Sequence, residues 1–399
     1  MIGVGLSQNA DTRAAVREAF ARARFSGRAS WVLAVAGRRH DAESVFAVIS
    51  DLLPGVPVYG GACVGAIGAK RIGYSGYEVA LAVFDDALGL PDVFLAEPIA
   101  EREHEAGRDL GAWLATQPDA PGALLFYDVT REGGGINFGS RLLDGIYAAL
   151  PEGGGPPVFG AGLITDFQVT ESFLFDGTGV RRNAALALRF PDSLQINVRI
   201  MHGCTPVSTL LEVTRAEGAR IHELDGRPAA DVLRELAGAK DGEELALAFS
   251  VLLGRRAGDP LSPYEEAEYI NRLIIDVDAA DGSVSLFEED IRTGDKVQVM
   301  VRNNSLLMDS VESGARASVD ETATHNARFG LYIDCAGRAS VFTGSESEES
   351  EHLLKQIGNA FPVLGFYVGR EIAPFDGRSR PLDWTGVLTV FSVRDEQRK

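Results

Sequence analysis

One structural pattern occurs three times along the chain, and this repeat limits the folds that the chain can form. Each copy begins with a short apolar run that indicates a buried strand, at residues 31–36, 123–127 and 330–333. An amphipathic segment that predicts a helix follows each run, at residues 42–53, 138–150 and 348–360. Strands and helices that alternate in this way favour mixed sheets with helices packed against them.

Proline and glycine mark the second part of each copy. A proline opens a short apolar strand that ends at Gly60, Gly160 and Gly365 in the three copies. Proline cannot donate to a sheet ladder, and glycine permits a sharp turn or a close backbone approach. A further apolar strand closes each copy, at residues 78–84, 183–190 and 386–393. The recurring unit is therefore strand, helix, strand, glycine turn and strand.

The length of 399 residues predicts two domains. A polar stretch at 216–228 precedes a predicted helix at 229–236, so we expect domains at 1–218 and 219–399. The second domain would contain a β-hairpin at 272–287 and a third antiparallel strand at 295–302. The predicted fold class is α/β, in a mixed α+β form: two related halves, built from repeated units, whose mixed sheets are packed by helices.

Composition narrows the classes of partner. The chain has 45% apolar and 24% charged residues, which is typical of a folded globular protein. With 38 Lys and Arg against 57 Asp and Glu, the net charge is −19, so we expect neither nucleic acid nor a membrane surface as partner. The first residues lack the basic region of a signal peptide, and we expect a cytoplasmic protein.

The cysteines are three in number and far apart. Cys63, Cys204 and Cys335 form no closely spaced pair, which argues against a disulfide framework and against a zinc site. We therefore expect three free thiols.

Cys335, Arg338 and Glu371 are candidates for a charged site. The guanidinium of Arg338 would lower the pKa of a nearby thiol, and Glu371 would be the acidic partner of Arg338. Such a group could grip a zwitterionic ligand, but a packed strand cysteine beside a structural ion pair explains the same residues.

His202 precedes the sequence Gly-Cys-Thr-Pro, a turn that could present an imidazole to a cavity. If haem binds, a neutral histidine at such a place is a natural axial ligand, whereas a structural histidine is the alternative.

Residues 133–140 form a glycine-rich loop that opens a predicted helix. Its amides could hold a carboxylate or phosphate, with Asp128, Arg131 and Asn137 beside it, although a flexible helix entry explains the pattern equally well. Asp166 follows the second glycine turn and reads as a turn cap. The acidic residues at 346–351 suit a helix N-terminus better than a metal loop.

These patterns together resemble the FIST domain family, named for F-box and intracellular signal transduction proteins. In the first half, the resemblance rests on residues 3–7 (GVGLS), 57–61 (PVYGG), 160–162 (GAG), 202–206 (HGCTP) and 213–214 (VT). In the second half, it rests on residues 224–229 (LDGRPA), 335–338 (CAGR), 362–367 (PVLGFY) and 371–374 (EIAP).

The resemblance implies a bacterial-type sensory domain that binds small ligands, amino acids among them, and acts on a signalling output such as a histidine kinase. The candidate ligand-binding residues are Cys335, Arg338, Glu371, Gly365, Tyr367, Gly60, Cys63, Gly160, Asp166 and Arg131. Three positions depart from the family pattern: Ala66 replaces a usual glutamate, Arg370 a usual glycine, and Asp383 a frequent asparagine.

The leading hypothesis is a sensor without cofactor or catalytic activity that binds an amino acid or a small carboxylate between its two halves and signals through a separate protein. One alternative, implied by haem-binding relatives, is a nitric oxide sensor that binds haem through His202 and regulates a histidine kinase. Others are a hydrolase with Cys335 as nucleophile and an adaptor that binds proteins only.

Overall fold

The computed structural model describes residues 1–131, 133–166, 168, 170–238, 251–259 and 262–394. Three units of the same design and one inserted antiparallel sheet make up this part of the chain. Each unit opens with an additional strand and helix that precede the predicted repeat, although in the third unit the inserted sheet separates the two.

The first unit runs from residue 2 to residue 84. Its elements are β1 (Ile2–Ser7), α1 (Thr12–Ala23), β2 (Trp31–Ala36), α2 (Ala42–Leu52), β3 (Val58–Ala62), β4 (Gly65–Gly68), β5 (Arg71–Gly73) and β6 (Val79–Phe84).

The second unit runs from residue 92 to residue 189. Its elements are β7 (Asp92–Ala96), α3 (Glu103–Leu114), β8 (Ala123–Asp128), α4 (Gly139–Ala149), β9 (Val158–Leu163), β10 (Leu174–Gly177), β11 (Val180–Arg181) and β12 (Ala185–Arg189).

The third unit begins with β13 (Leu194–Met201), and the inserted sheet follows. That sheet contributes β14 (Cys204–Pro206), β15 (Leu211–Glu217), β16 (Arg220–Leu224), β17 (Arg227–Pro228), α5 (Ala229–Ala237), β18 (Val251–Arg256), β19 (Tyr269–Val277), β20 (Val284–Leu286) and β21 (Lys296–Arg302).

The third unit then resumes and ends at residue 393. Its remaining elements are α6 (Asn304–Thr322), β22 (Ala327–Cys335), α7 (Ser340–Thr343), α8 (Glu349–Ile357), β23 (Val363–Val368), β24 (Arg370–Phe375), β25 (Arg378–Leu382) and β26 (Gly386–Val393).

The three units pair their strands in the same way. A parallel pair forms the centre of each, β2 with β3, β8 with β9 and β22 with β23. An antiparallel closing strand, β6, β12 or β26, lies on the other side of the first strand of each pair, and β1, β7 or β13 lies beyond it. The repeated α/β unit and the mixed sheets predicted from the sequence are confirmed.

Each unit also sends a strand pair into the sheet of another unit. The β4–β5 pair adds to the sheet of the third unit, through β4 and β23. The β24–β25 pair adds to the sheet of the second unit, through β24 and β9, and β10–β11 adds to that of the first, through β10 and β3. The exchange is cyclic, so strands from both sides of the predicted boundary at 218/219 share sheets.

Glycine is required where the exchange begins. The backbone at Gly60 and at Gly160 has positive φ, +121° and +151°. A Cβ there would lie 2.1 Å and 1.9 Å from the carbonyl oxygens of Ala34 and Leu125, on the neighbouring parallel strands. Only a residue without a side chain permits this approach, which explains the glycine at the same point of the repeat.

The inserted sheet closes into a ring. Six of its eight strands pair in the order β18, β21, β15, β16, β20 and β19, and β19 returns to β18. The predicted hairpin is β19 and β20, and the predicted third strand is β21. Strand β21 pairs with β18 and β15 and not with the hairpin itself. Closure leaves the ring without open edges between these strands.

Buried apolar residues fill the layers between sheets and helices. One cluster spans the sheets of all three units, and Trp31, Phe84, Phe126, Phe366 and Phe391 are among its largest members. A separate cluster lies inside the ring and against α5. The ring therefore has its own core.

Candidate functional site

An open depression lies where β2 and β3 end. Two adjoining cavities of about 390 Å³ and 400 Å³ share Arg38, Arg39 and Thr165, and together we call them the Arg38 depression. Its other lining residues are His40, Asp41, Ala42, Val64, Tyr74, Ser75, Gly76, Asp166, Thr170, Glu171, Ser172, Phe173 and Arg182. Ligands of open α/β sheets bind beyond the carboxyl ends of the strands, which is where this depression lies.

Backbone contacts fix the loop that carries the two arginines. A Cβ at Gly37 would lie 2.5 Å from the carbonyl oxygen of Gly76, so the two segments are in close contact. The Arg39 amide donates to the same oxygen at 3.0 Å. Asp41 then caps α2 by accepting from the Ser44 amide at 2.8 Å. The arginines are thus placed between a strand end and a helix start.

Arg38 and Asp166 bring opposite charges to the depression. They form an ion pair in which the Arg38 side chain is 49% exposed and that of Asp166 is 10% exposed. Asp166 also accepts from the Thr170 hydroxyl at 2.8 Å, so its carboxylate is held in place. Arg38 uses Nη1 for this pair, and its side chain lines both cavities. A guanidinium and a carboxylate side by side complement the two ends of a zwitterion.

A carboxyl group that titrates near neutral pH lies behind one wall. Ser172 lines the depression and donates its hydroxyl to Asp128 at 2.8 Å. Burial raises the pKa of Asp128 to about 7, although hydrogen bonds from Ser172 and from the Ala184 amide act in the opposite direction.

Tyr74 connects the depression to buried polar groups. Its hydroxyl donates to Glu348 at 2.8 Å and lies 3.2 Å from the Ser340 hydroxyl. Glu348 also accepts from Tyr367 at 3.3 Å, and Tyr367 lies 3.1 Å from the Ser350 hydroxyl. The contacts run from an open cavity to the start of α8 without a break.

Four fully buried side chains lie next to these hydrogen bonds. We call them the Arg338 cluster: Tyr332, Asp334, Arg338 and Glu349. Arg338 donates to Glu349 at 3.0 Å through Nε, which also lies 3.1 Å from Asp334. The Tyr332 hydroxyl donates to Glu349. Burial, reinforced by the nearby Glu349 carboxylate, raises the pKa of Asp334 well above its ordinary value. The cluster holds two acids for one guanidinium.

The expected anion site at the start of α4 is filled by a carboxylate of the chain itself. Glu288, which follows β20, accepts from the amides of Gly139 at 3.1 Å and Ser140 at 3.0 Å. Arg370 donates to the same carboxylate at 2.7 Å and to Asp383 at 2.9 Å. The helix start does bind an anion, and this contact ties the ring to the second unit.

The expected pair of Arg338 and Glu371 is not formed. Arg338 is occupied by Asp334, Glu349 and the Met201 carbonyl, whereas Glu371 accepts from the Thr385 amide at 3.2 Å. The acid that pairs with Arg338 is Glu349, which lies in the acidic run at 346–351 that we assigned to a helix start. Burial and the nearby Asp383 raise the pKa of Glu371.

The other candidates from the third unit surround the same cluster. Cys335 follows Asp334 on β22, and Gly365 and Tyr367 lie on β23 beside it. Burial, together with the charge of Glu371, raises the pKa of the Cys335 thiol well above its usual value. This is opposite to the lowered pKa expected from Arg338, because burial and the charge of Glu371 both disfavour the thiolate.

The remaining candidates are dispersed. Gly60 and Gly160 lie within β3 and β9, and Cys63 follows β3 with a buried side chain. Arg131 donates to Asn137 at 2.9 Å and forms an ion pair with Glu103. Of the ten predicted ligand residues, Asp166 lines the depression, and the ligand role of the others stays a prediction. All three cysteines are free thiols.

The surroundings of His202 do not fit an axial haem ligand. The residue is 1% exposed. Its Nδ1 accepts from the Cys204 amide at 3.0 Å, and Nε2 donates to the Glu266 carbonyl at 3.0 Å. Both ring nitrogens therefore have protein partners, and burial lowers the pKa of the imidazole, which keeps it neutral.

The described ranges contain neither a cluster of metal-binding side chains nor a helix that could cross a membrane. No group of three or more His, Cys, Asp and Glu side chains there has an arrangement that could hold a metal ion. No helix in those ranges combines the length and the apolar character needed to cross a membrane.

Sequence reasoning missed Arg38, Arg39, Tyr74 and the carboxylates at 348 and 349. A signal existed for the arginines, because a basic pair directly after a buried strand and before a helix lies at the binding edge of an α/β unit. The two glutamates belong to the acidic run that we assigned to the helix dipole. Their burial depends on tertiary packing.

Comparisons with known proteins identify the family. The model of the FIST N domain matches residues 30–227, and that of the FIST C domain matches residues 229–374. An uncharacterized protein of Mycobacterium tuberculosis strain CDC 1551 is 24% identical over 424 aligned positions, covering 98% of this chain and 99% of that protein. An uncharacterized Mycobacterium bovis protein is 25% identical over 222 positions, covering 55% of this chain and 56% of that protein. The chain therefore belongs to the FIST family, whose domains are associated with sensing in signal transduction.

Proposed function

We propose that this chain is a sensory protein that binds an amino acid or a small carboxylate in the Arg38 depression and signals through a separate output protein. The observation that carries this proposal is the ion pair between the half-exposed Arg38 and the largely buried Asp166 at the carboxyl edge of β2 and β3. All the residues that line the depression have numbers between 38 and 182. The proposed site therefore lies within the first half and not between the halves.

The charges of the depression favour a ligand with a carboxylate. Arg38 retains N–H groups beyond the one given to Asp166, and a carboxylate can accept two parallel hydrogen bonds from a guanidinium. An ammonium group on the same ligand would find the Asp166 carboxylate beside it. Carboxylates without an ammonium would bind more weakly, because they would repel the Asp166 carboxylate without supplying a cation beside it.

The connection through Tyr74 supports a sensory role. A ligand that moves or replaces the Tyr74 hydroxyl would change the hydrogen bonding of Glu348, at the first turn of α8. A ligand can shift such an equilibrium by no more than its difference in affinity for the two arrangements. The output protein would then bind one arrangement more tightly than the other.

The burial of Cys335 favours binding over catalysis. A thiol with a raised pKa holds little thiolate at neutral pH, and the thiolate is the nucleophile. The sensor proposal needs no reaction at this residue.

A thermal-shift panel of the common amino acids and short mono- and dicarboxylates tests the proposal. We expect at least one compound to raise the unfolding temperature of the wild-type protein. Arg38→Gln should abolish that rise, because a charge-assisted hydrogen bond contributes about 1.5–3 kcal/mol. Arg17→Gln, at an exposed arginine outside the depression, is the control. An equal rise in Arg38→Gln, or no rise with any compound in the wild type, would overturn the proposal.

A further inference from the structure

A second cavity lies at the start of β23, the second strand of the parallel pair in the third unit. Its volume is about 670 Å³, and we call it the β23 groove. It is lined by Ile2, Gly3, Val4, Arg22, Ala23, Arg24, Ala69, Lys70, Arg71, Leu354 and residues 357–359 and 361–363. No residue of this groove lines the Arg38 depression.

All the charged residues that line the groove are cations. They are Arg22, Arg24, Lys70 and Arg71. The chain as a whole carries a net charge of −19, so four cations without an acid among them depart from its average surface. Among the described residues, Glu18 pairs with Arg22 at 3.2 Å, and the ion pairs include none for the other three cations. A local positive potential attracts anions.

The groove is apolar behind these cations. Ile357, Phe361 and Val363 are 3%, 5% and 6% exposed, and Leu354 is partly buried beside them. Small-molecule sites have volumes of about 300–1,000 Å³ and combine such apolar walls with a few polar groups that fix orientation. A ligand that fits must therefore present both an anionic group and an apolar body.

The backbone holds three lining residues in a costly conformation. Arg24, Ala69 and Lys70 have φ of 49°, 49° and 61°, and they are three of the nine described non-glycine residues with positive φ. Ala69 and Lys70 form the two-residue turn between β4 and β5, a position at which Asn-Gly is the favoured sequence. A residue with a side chain is strained at such a φ, and strain of this kind concentrates at binding sites.

We propose that the β23 groove binds an anionic amphiphile, meaning a molecule with a carboxylate or phosphate head and an apolar chain or ring. The head would lie against Lys70 and Arg71 at the turn, and the apolar body would lie on Ile357, Phe361 and Val363. The anion source is either a free amphiphile or a lipid headgroup in a bilayer. This site is independent of the Arg38 depression and of its ligand.

Calorimetric titration with dodecanoate and with dodecyl phosphate, both below their micelle concentrations, tests the proposal. We expect saturable binding of at least one probe. Dodecyl maltoside, which has the same chain but no charge, and inorganic phosphate, which has no chain, should bind at least about tenfold more weakly. Comparable binding of the uncharged probe, or binding of none of them, would contradict the proposal.

Three variants locate the site. Lys70→Gln combined with Arg71→Gln should weaken binding about tenfold, because two charge-assisted contacts are lost. Lys70→Gly should also weaken binding but leave the unfolding temperature equal or higher, since glycine relieves the positive φ. Arg108→Gln, at an exposed arginine of α3, is the control. Unchanged binding in Lys70→Gly, with the fold intact, would overturn the assignment.

Two further measurements distinguish a lipid headgroup from a free amphiphile, and the β23 groove from the Arg38 depression. Sedimentation with phosphatidylglycerol vesicles, compared with phosphatidylcholine vesicles, identifies a lipid headgroup as the source if only the anionic vesicles capture the protein. Capture by neither, together with dodecanoate binding, identifies a free amphiphile. Arg38→Gln should bind dodecyl phosphate, which lacks the carboxylate proposed for the Arg38 depression, as the wild type does, so loss of binding in this variant would contradict the separate site.

Discussion

The Tyr74 hydroxyl donates to Glu348 across 2.8 Å, and this contact joins a residue of the first unit to the start of a helix in the third. Tyr74 lines the Arg38 depression, whereas Glu348 lies beside the Arg338 cluster. Their separation of 274 positions in sequence shows how the exchange of strand pairs brings distant segments together. The β4–β5 pair, whose sheet includes β23, delivers Tyr74 to this place.

Tyr74→Phe should remove the hydrogen bond that connects the Arg38 depression to Glu348, while the protein stays folded. The variant loses one hydrogen bond to a carboxylate that retains Ser340 as donor at 2.5 Å, so we expect a loss of about 1 kcal/mol in the free energy of unfolding. Tyr77→Phe, which removes a hydroxyl that accepts from the exposed Arg39, is the matched control with a smaller loss. Urea unfolding measures both. A loss above about 3 kcal/mol would instead identify Tyr74 as a structural residue.

Glu288→Ala should strongly destabilise the protein. The change removes the acceptor of two helix amides and leaves the buried Arg370 with one acidic partner, Asp383. Loss of one member of a buried pair costs about 3–5 kcal/mol. Glu289→Ala is the neighbouring control, because Glu289 pairs with the partly exposed Arg141 and should cost under about 1 kcal/mol. Equal losses in chemical denaturation would refute the described role of Glu288.

Asp128 should make stability depend on pH. Because its pKa is raised from 3.8 to about 7 in the folded chain, its contribution is complete below pH 4 and is lost as pH rises toward and through 7. Asp128→Asn removes this titration and retains groups that can bond to Ser172 and to the Ala184 amide.

Urea unfolding at pH 5 and pH 8 measures the difference. Wild-type stability should fall relative to that of Asp128→Asn, by at most about 3 kcal/mol over this pH range. A parallel pH dependence in the two proteins would show that Asp128 has an ordinary pKa.

Gly160→Ala should prevent the close approach of β9 to β8. A Cβ would lie 1.9 Å from the Leu125 carbonyl oxygen at a φ of +151°, so we expect a loss above about 3 kcal/mol. At Gly153, φ is +68° and the Cβ would meet open space, so Gly153→Ala should cost about 1 kcal/mol. Comparison of the unfolding free energies checks both values, and similar losses would contradict the steric account.

Local signals made the three units predictable. Apolar runs, helical periodicity and the proline and glycine positions placed the strands and helices of the predicted repeat to within a few residues, for example a helix predicted at 42–53 and observed at Ala42–Leu52. The exchange of strand pairs and the closed ring were not predictable in this way. A strand pattern shows which face is apolar, but the neighbour to which it pairs depends on the whole fold.

The site followed the same division. Asp166 was predicted as a turn cap beside a glycine turn, and it does accept from the Gln168 and Thr170 amides while it pairs with Arg38. Glu371 was predicted as the acid that pairs with Arg338, but the partner is Glu349. Glu349 belongs to an acidic run that resembles an exposed helix start. Glu349 pairs with Arg338 because it is buried. The sequence alone does not indicate which of the four acids in the run are buried.

Amide hydrogen exchange of the wild-type protein, with and without a ligand selected by the thermal-shift panel, tests the central claim most directly. We predict slower exchange at residues 37–41, 74–78, 165–166 and 170–172, which surround the Arg38 depression, and also at 340–351, beyond Tyr74. In Tyr74→Phe, the segments around the depression should still respond and the segment 340–351 should not. Ligand protection that leaves residues 37–41, 165–166 and 170–172 unchanged would contradict the account.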